Sequence, residues 1–264
     1  MAETVKPVQL KPSTVQAFDA YTREAESTME QTLDGSGPFL WSDVSSERAQ
    51  QVHKGQIVAQ RWSGKECVKV PDGLIHDWIG TAFTPGTTVK EALALVQDYN
   101  NHKNIYKPEV IASKLIDHHD NDFQIYLRLL KKKIITVVLD TDHEVHYSAL
   151  DARRWLCRSC TTRIAEVEHA GKANEEVLPP DAGYGFLWRL DSYWRFEERD
   201  GGVYVECRAI SLTRDVPKGL GWIIEPIVRK LPRESLINTL KATRQALSSG
   251  GVQASTRAPS TSSL

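Results

Sequence analysis

From residue 74 to residue 214 the chain alternates apolar and polar positions with a period of two, the mark of a half-buried strand. Such stretches cover residues 74–83, 110–116, 123–130, 134–147, 154–167, 186–198 and 203–214. A helical pattern separates the first from the rest, with Val89, Leu93 and Val96 on one face. Thr87 is its expected cap, and Glu91 sits in the first turn, where the helix dipole favours an anion. The closing segment, residues 219–248, returns to helical spacing. Its face carries Trp222, Ile223, Ile227 and Leu231, then Leu236, Leu240 and Leu247. Pro232 between the two sets predicts a kink, because proline removes one helical hydrogen bond. An antiparallel sheet of about seven strands must bury one face, and one amphipathic helix arriving last is its natural cover. The predicted fold class is α+β, a curved sheet closed by a long C-terminal helix, with a pocket in the gap between them.

Turn chemistry fixes two registers. Asp200-Gly201 is a strong hairpin signal, and a two-residue turn there sets Trp194 opposite Cys207, Ser192 opposite Ala209, Leu190 opposite Ser211 and Trp188 opposite Thr213. That face pairs large with small side chains and is the one expected to be buried. The opposite face pairs Arg195 with Glu206 and Tyr193 with Arg208, suited to water or a partly covered surface. One hairpin earlier, a turn at Lys131-Lys132-Lys133 puts Leu129 beside Ile135, Leu127 beside Val137 and Ile125 beside Leu139. The expected pocket wall is therefore Ile125, Leu127, Val137, Leu139, Trp188, Leu190, Trp194 and Ser211, with Trp222 and Ile227 from the helix. The helix start at 219–230, uncoupled by Pro232, is the expected gate, and its apolar tip could touch a membrane transiently. The long loop after Val167 reads as a lid or a surface excursion.

Ahead of the sheet, Ser13 precedes a helix marked by Phe18, Tyr21, Ala25, Met29 and Leu33. A short helix at 46–54 and a strand at 56–62 follow. Residues 1–72 are too few to fold alone and are expected to pack as an extension on a domain spanning 73–248, with a disordered tail at 249–264. Lys plus Arg (33) nearly balance Asp plus Glu (34) in the 264 residues, so no global field draws nucleic acid. The first residues lack the apolar core of a secretory signal and no run approaches the length of a membrane span, which points to the cytoplasm.

Candidate chemistry is sparse. Cys157 and Cys160 form a CxxC inside a strand, where positions three apart face opposite ways, so both thiols cannot reach one metal. Asp117-His118-His119-Asp120 is expected to be a solvated turn, and His143 and His146 a sheet surface and rim. No metal and no cofactor is expected. Helical spacing sets Asp98, His102 and Tyr106 four apart, which could support acid and base work at a pocket mouth. Arg163 and Arg214 could each neutralise an anionic head group, although an ion pair within the sheet is the simpler role for either.

Three passages resemble a known family. Leu95-Val96-Gln97-Asp98-Tyr99, followed by Tyr106-Lys107-Pro108-Glu109-Val110, is similar to a helix-to-strand passage of the START-like (SRPBCC, helix-grip) superfamily. The corner from Ser211 to Pro217 resembles that group's strand-to-helix turn, and the passage from Trp188 to Arg195 resembles bacterial START-like proteins. The more distant likeness is to polyketide cyclases and coenzyme Q-binding proteins. The resemblance implies a helix-grip fold whose cavity carries or sequesters a lipid, sterol, isoprenoid or polyketide-like molecule. It leaves two alternatives: a cyclase or aromatase using the same cavity, or a protein-interaction module whose cavity is filled.

Overall fold

The computed structural model describes residues 7–35, 37–64, 67–132, 135–215 and 221–255, the side chains of Asp34, 221–229 and 250–255 excepted. In chain order the elements are β1 (Val8–Gln9), α1 (Pro12–Gln31), α2 (Ser46–His53), β2 (Val58–Arg61), β3 (Val68–Val70) and β4 (Gly73–Pro85). Then come α3 (Val89–Gln97), α4 (His102–Ile105), β5 (Val110–His119), β6 (Asp122–Lys132), β7 (Thr136–Ala149) and β8 (Arg154–Glu168). β9 (Glu176–Val177), β10 (Ala182–Gly183), β11 (Arg189–Arg199), β12 (Gly202–Arg214) and α5 (Gly221–Ser255) complete the described chain.

One open, antiparallel ten-stranded sheet dominates, in the order β2-β4-β12-β11-β8-β7-β6-β5, with β3 beside β4 and β9 beside β8. Asp200 and Gly201 both take positive φ, and the expected register holds from Arg199 opposite Gly202 through Trp194 opposite Cys207 to Leu190 opposite Ser211. The lysine hairpin differs. β6 continues through Lys131 and Lys132, which pairs with Thr136, so Leu129 meets Leu139, Leu127 meets Thr141 and Ile125 meets His143. Lys131, paired with Glu109, and Lys132 belong to the strand and are not part of the turn. A shift by an even number of residues preserves facing, and the apolar set stays on one side.

The inner face of the sheet packs against α3 and α5: Leu236, Leu240, Ala92, Leu93 and Val96 join Trp78, Phe196, Val205 and Cys207 in one core. Gly80 lets α5 sit close, since a Cβ there would lie 3.0 Å from Leu240 Cδ1 and 3.0 Å from Val58 O. α5 runs unbroken through Pro226 and Pro232 rather than as two pieces, and it continues past Ser248 to Ser255. The helix caps also fall one or two residues from expectation. Thr88, not Thr87, forms a capping box with Glu91, and α1 begins at Pro12 behind Lys11, with proline at the position where its missing N–H costs nothing.

The outer face is covered too, the second of the two settings expected for its polar pairs and more completely than expected. Phe18 and Ala25 of α1 pack on Ile75, Ile210 and Leu212. Glu206 accepts hydrogen bonds from the backbone N–H groups of Trp41 and Ser42 at 2.9 and 3.2 Å and from Thr81 Oγ1 at 2.8 Å. Arg208 grips Asp77 through Nε and Nη2 at 3.0 and 2.6 Å, and Tyr21 of α1 donates to the same carboxylate at 2.8 Å. Burial of these polar pairs follows from their partners in the N-terminal region, which sequence pairing across β11 and β12 alone cannot reveal. The segment after β8 is tied down rather than loose: β9 and β10 pair with β8 and β1, and Glu166 accepts from the N–H groups of Tyr184, Gly185 and Phe186. Among the described residues no helix is long and apolar enough to cross a membrane.

Candidate binding cavity

Ser159 on β8, Ser192 on β11 and Ala209 on β12 stand side by side in register on the inner face. Three small side chains in a transverse row leave space that α5, seated mainly over β4, does not fill. The result is a cavity of about 320 Å³ between the sheet, α5 and the α3–α4 segment. From the sheet it is lined by Ile125, Leu127, Val137, Leu139, Leu190 and Trp194. Ser211 and Thr213 continue the wall along β12, and Leu231, Pro232, Ser235, Leu236 and Thr239 close it from α5.

Seven of the residues expected on the wall therefore do line it: Ile125, Leu127, Val137, Leu139, Leu190, Trp194 and Ser211. Trp188 does not. β11 starts only at Arg189, and Trp188 packs with Leu10, Phe18 and Ile210 on the outer face, its ring stacked close over Gly185. Trp222 and Ile227 lie outside the described side chains, as does the gate expected at 219–230. Arg163 pairs with Asp142 at 3.3 Å across the sheet and is not on the wall. Nor is Arg214, whose backbone N–H donates to Gly185 O.

The trio of Asp98, His102 and Tyr106 is split, because the helix stops at Gln97 and a 3-10 turn at Tyr99–Asn101 intervenes. Asp98 is exposed, whereas His102 and Tyr106 line the cavity. His102 Nε2 donates to Val96 O at 3.0 Å, and Tyr106 donates to Thr243 Oγ1 at 3.2 Å, since that hydroxyl's own proton goes to Thr239 O. Cys157 and Cys160 do face opposite ways: Cys157 lines the cavity, and Cys160 meets Asp191 on the outer side. His118 and His119 are the last residues of β5 rather than the turn itself, which is Asp120 and Asn121. His146 is an exposed partner of Asp122 at 2.7 Å.

Sequence reasoning missed His143, which is buried on the cavity wall and not on a sheet surface. The signal was its parity: Val137, Leu139, Thr141, His143, Val145 and Tyr147 alternate down one face of β7. Its protonation follows from its neighbours. Thr141 Oγ1 donates to Leu127 O at 3.0 Å, so it can only accept from His143 Nε2, 2.9 Å away. The proton therefore sits on Nε2, and the Nδ1 lone pair faces Ser159 Oγ at 3.5 Å. Also missed was Tyr147, whose hydroxyl meets that of Tyr99 at 2.8 Å on the same wall.

Burial sets the electrostatics. It lowers His102 and His143 to about 4, raises Tyr106 and Cys157 to about 12, and pushes Tyr99, Tyr147 and Cys207 well above their ordinary values. At neutral pH each of these groups is uncharged. Among the described residues charge enters only at the rim, where Lys131 pairs with Glu109, Asn238 donates to Glu109 at 2.8 Å, and Lys107 is exposed. Acid–base chemistry near neutrality needs groups that titrate there, and these do not.

No protein-family model and no curated protein sequence matches the chain. Solved structures do match. A START superfamily protein from Mycobacterium smegmatis is 12% identical, with a TM-score of 0.46, over 66% of this chain and 98% of its own. A STAR-related lipid transfer protein from Xanthomonas axonopodis is 18% identical, with a TM-score of 0.44, over 69% of this chain and 97% of its own. The Zhui aromatase/cyclase from Streptomyces sp. R1128 is 10% identical, with a TM-score of 0.37, over 69% of this chain and 94% of its own.

Proposed function

We propose that this protein carries or sequesters one neutral apolar small molecule in the cavity between its sheet and α5. The observation that carries this is a void of about 320 Å³ with a mainly aliphatic and aromatic wall and its charges confined to the rim. That volume is at the small end of ligand sites, roughly 300–1,000 Å³, and fits a ring system or a single chain of the sterol, isoprenoid or polyketide kind better than a two-chain lipid. Burying about ten methylenes would gain roughly 8 kcal/mol gross. Association costs on the order of 4 kcal/mol or more, so micromolar or weaker binding is expected. The seven wall residues named from the sequence would make the contacts. Residues 1–72 would serve as an integral cover of the outer face, with no part in binding.

The other readings lose support. A cyclase built on Asp98, His102 and Tyr106 lacks Asp98, and an interaction module needs an interior that is filled. The test is tryptophan emission during titration with decan-1-ol, farnesol and cholesterol, in the parent and in Trp194→Phe. Saturable change with one molecule per chain, reduced in Trp194→Phe, is expected. No saturable response to any of them, or an identical response without Trp194, would contradict the proposal.

A further inference from the structure

The polar groups of the inner wall are not scattered. His143 on β7, Ser159 on β8 and Ser192 on β11 form a stripe across three adjacent strands, Ser159 directly opposite Ser192 and His143 one diagonal step away. All three line the cavity in the midst of aliphatic and aromatic side chains. Their hydrogens can be placed. The His143 Nδ1 lone pair faces Ser159, at the 3.5 Å limit of a hydrogen bond. Ser192 Oγ accepts from Trp194 Nε1 at 3.1 Å, which leaves its own proton to donate. With the Ser159 contact at its limit, the stripe offers the Nδ1 acceptor and two serine hydroxyls, each able to donate or accept, to whatever fills the space.

An alcohol or phenol matches this set, because one hydroxyl can donate to Nδ1 while accepting from a serine. An ether or ester oxygen can only accept, so it takes a serine proton but gives Nδ1 nothing beyond its long contact with Ser159 at 3.5 Å. A carboxylate accepts only and brings a charge to a wall whose cations, among the described residues, stand at the rim. Resting on the cavity as a ligand site, we propose that the stripe His143–Ser159–Ser192 selects a neutral apolar molecule bearing a hydroxyl group, seated against His143 Nδ1.

The full chain is titrated by calorimetry with 2-naphthol, 2-methoxynaphthalene and 2-naphthoate, which share one ring system. The parent should bind 2-naphthol about tenfold tighter than its methyl ether, as expected for one buried hydrogen bond, and the carboxylate most weakly. His143→Phe and Ser159→Ala, taken in parallel so that either folded variant carries the test, should reduce that preference to within about twofold, read as the ratio of the two affinities within each variant. Equal binding of naphthol and its ether in the parent, tightest binding of the carboxylate, or a preference that survives both substitutions would overturn the stripe and leave the cavity standing. No binding of any probe would overturn the cavity as a ligand site, and the stripe with it.

Discussion

Ala209→Leu decides by its sign whether the interior is a void or a packed core. Ala209 lies on β12 between Ser192 and Trp78 in register, half-buried because its methyl group borders the cavity. Leucine adds three carbons, and at about 0.8 kcal/mol for each buried one the gross gain is roughly 2.4 kcal/mol. Ordering the leucine side chain costs about 0.5–1 kcal/mol, which leaves a net gain of about 1.5 kcal/mol. For a chain of this size that raises the Tm by roughly 3–6 °C. In an interior already filled, the same substitution would overpack it at a cost of about 1–3 kcal/mol. Urea denaturation with an unchanged m value reads the difference directly, and the variant should also bind decan-1-ol more weakly because its leucine occupies ligand space. A loss of 1 kcal/mol or more, with binding intact, would refute the reasoning.

The buried pair of Arg208 and Asp77 makes the outer face sensitive to truncation: Asp77→Ala leaves a guanidinium buried without its carboxylate and should cost about 3–5 kcal/mol. Chemical denaturation checks it, and a cost under about 1 kcal/mol would contradict the account. His143 gives a pH signature. Its folded value of about 4 lies below the ordinary 6.5, so between those values the unfolded chain binds more protons and stability falls as pH falls. At about 1.36 kcal/mol per unit this one group accounts for on the order of 3 kcal/mol by pH 4. His143→Phe should therefore gain on the parent steadily as pH drops from 7 to 4.5 in urea melts, and a difference independent of pH would exclude a buried neutral histidine.

The strands, their order along the chain and the β11–β12 register were legible because period-two alternation and Asp200-Gly201 are local signals. Cavity-wall parity was legible for the same reason, and it survived even the four-residue slip at the lysine hairpin. What stayed hidden was set by tertiary partners. Trp188 follows the strand's alternation on paper, but the strand begins one residue later and its ring is drawn to α1. The full burial of Glu206 and Arg208 was not legible because the backbone of Trp41 and Ser42, and Asp77 with Tyr21, come from distant sequence. Asp98 and His102 looked aligned because a helix ending at Gln97 cannot be distinguished from one that continues through Tyr99 when both carry polar residues next. The void itself arises from three small residues on separate strands, a pattern visible only once their register is known.

The most direct measurement is electron density from crystals of the full chain pressurised with xenon, which enters apolar voids whatever their natural occupant. The account predicts density between Trp194, Leu127 and Leu236, either xenon or an apolar molecule retained through purification, with Ser159 and Ser192 facing it. An interior at that place filled by repacked side chains, with no xenon and no retained molecule, would contradict the claim that this protein holds a ligand there.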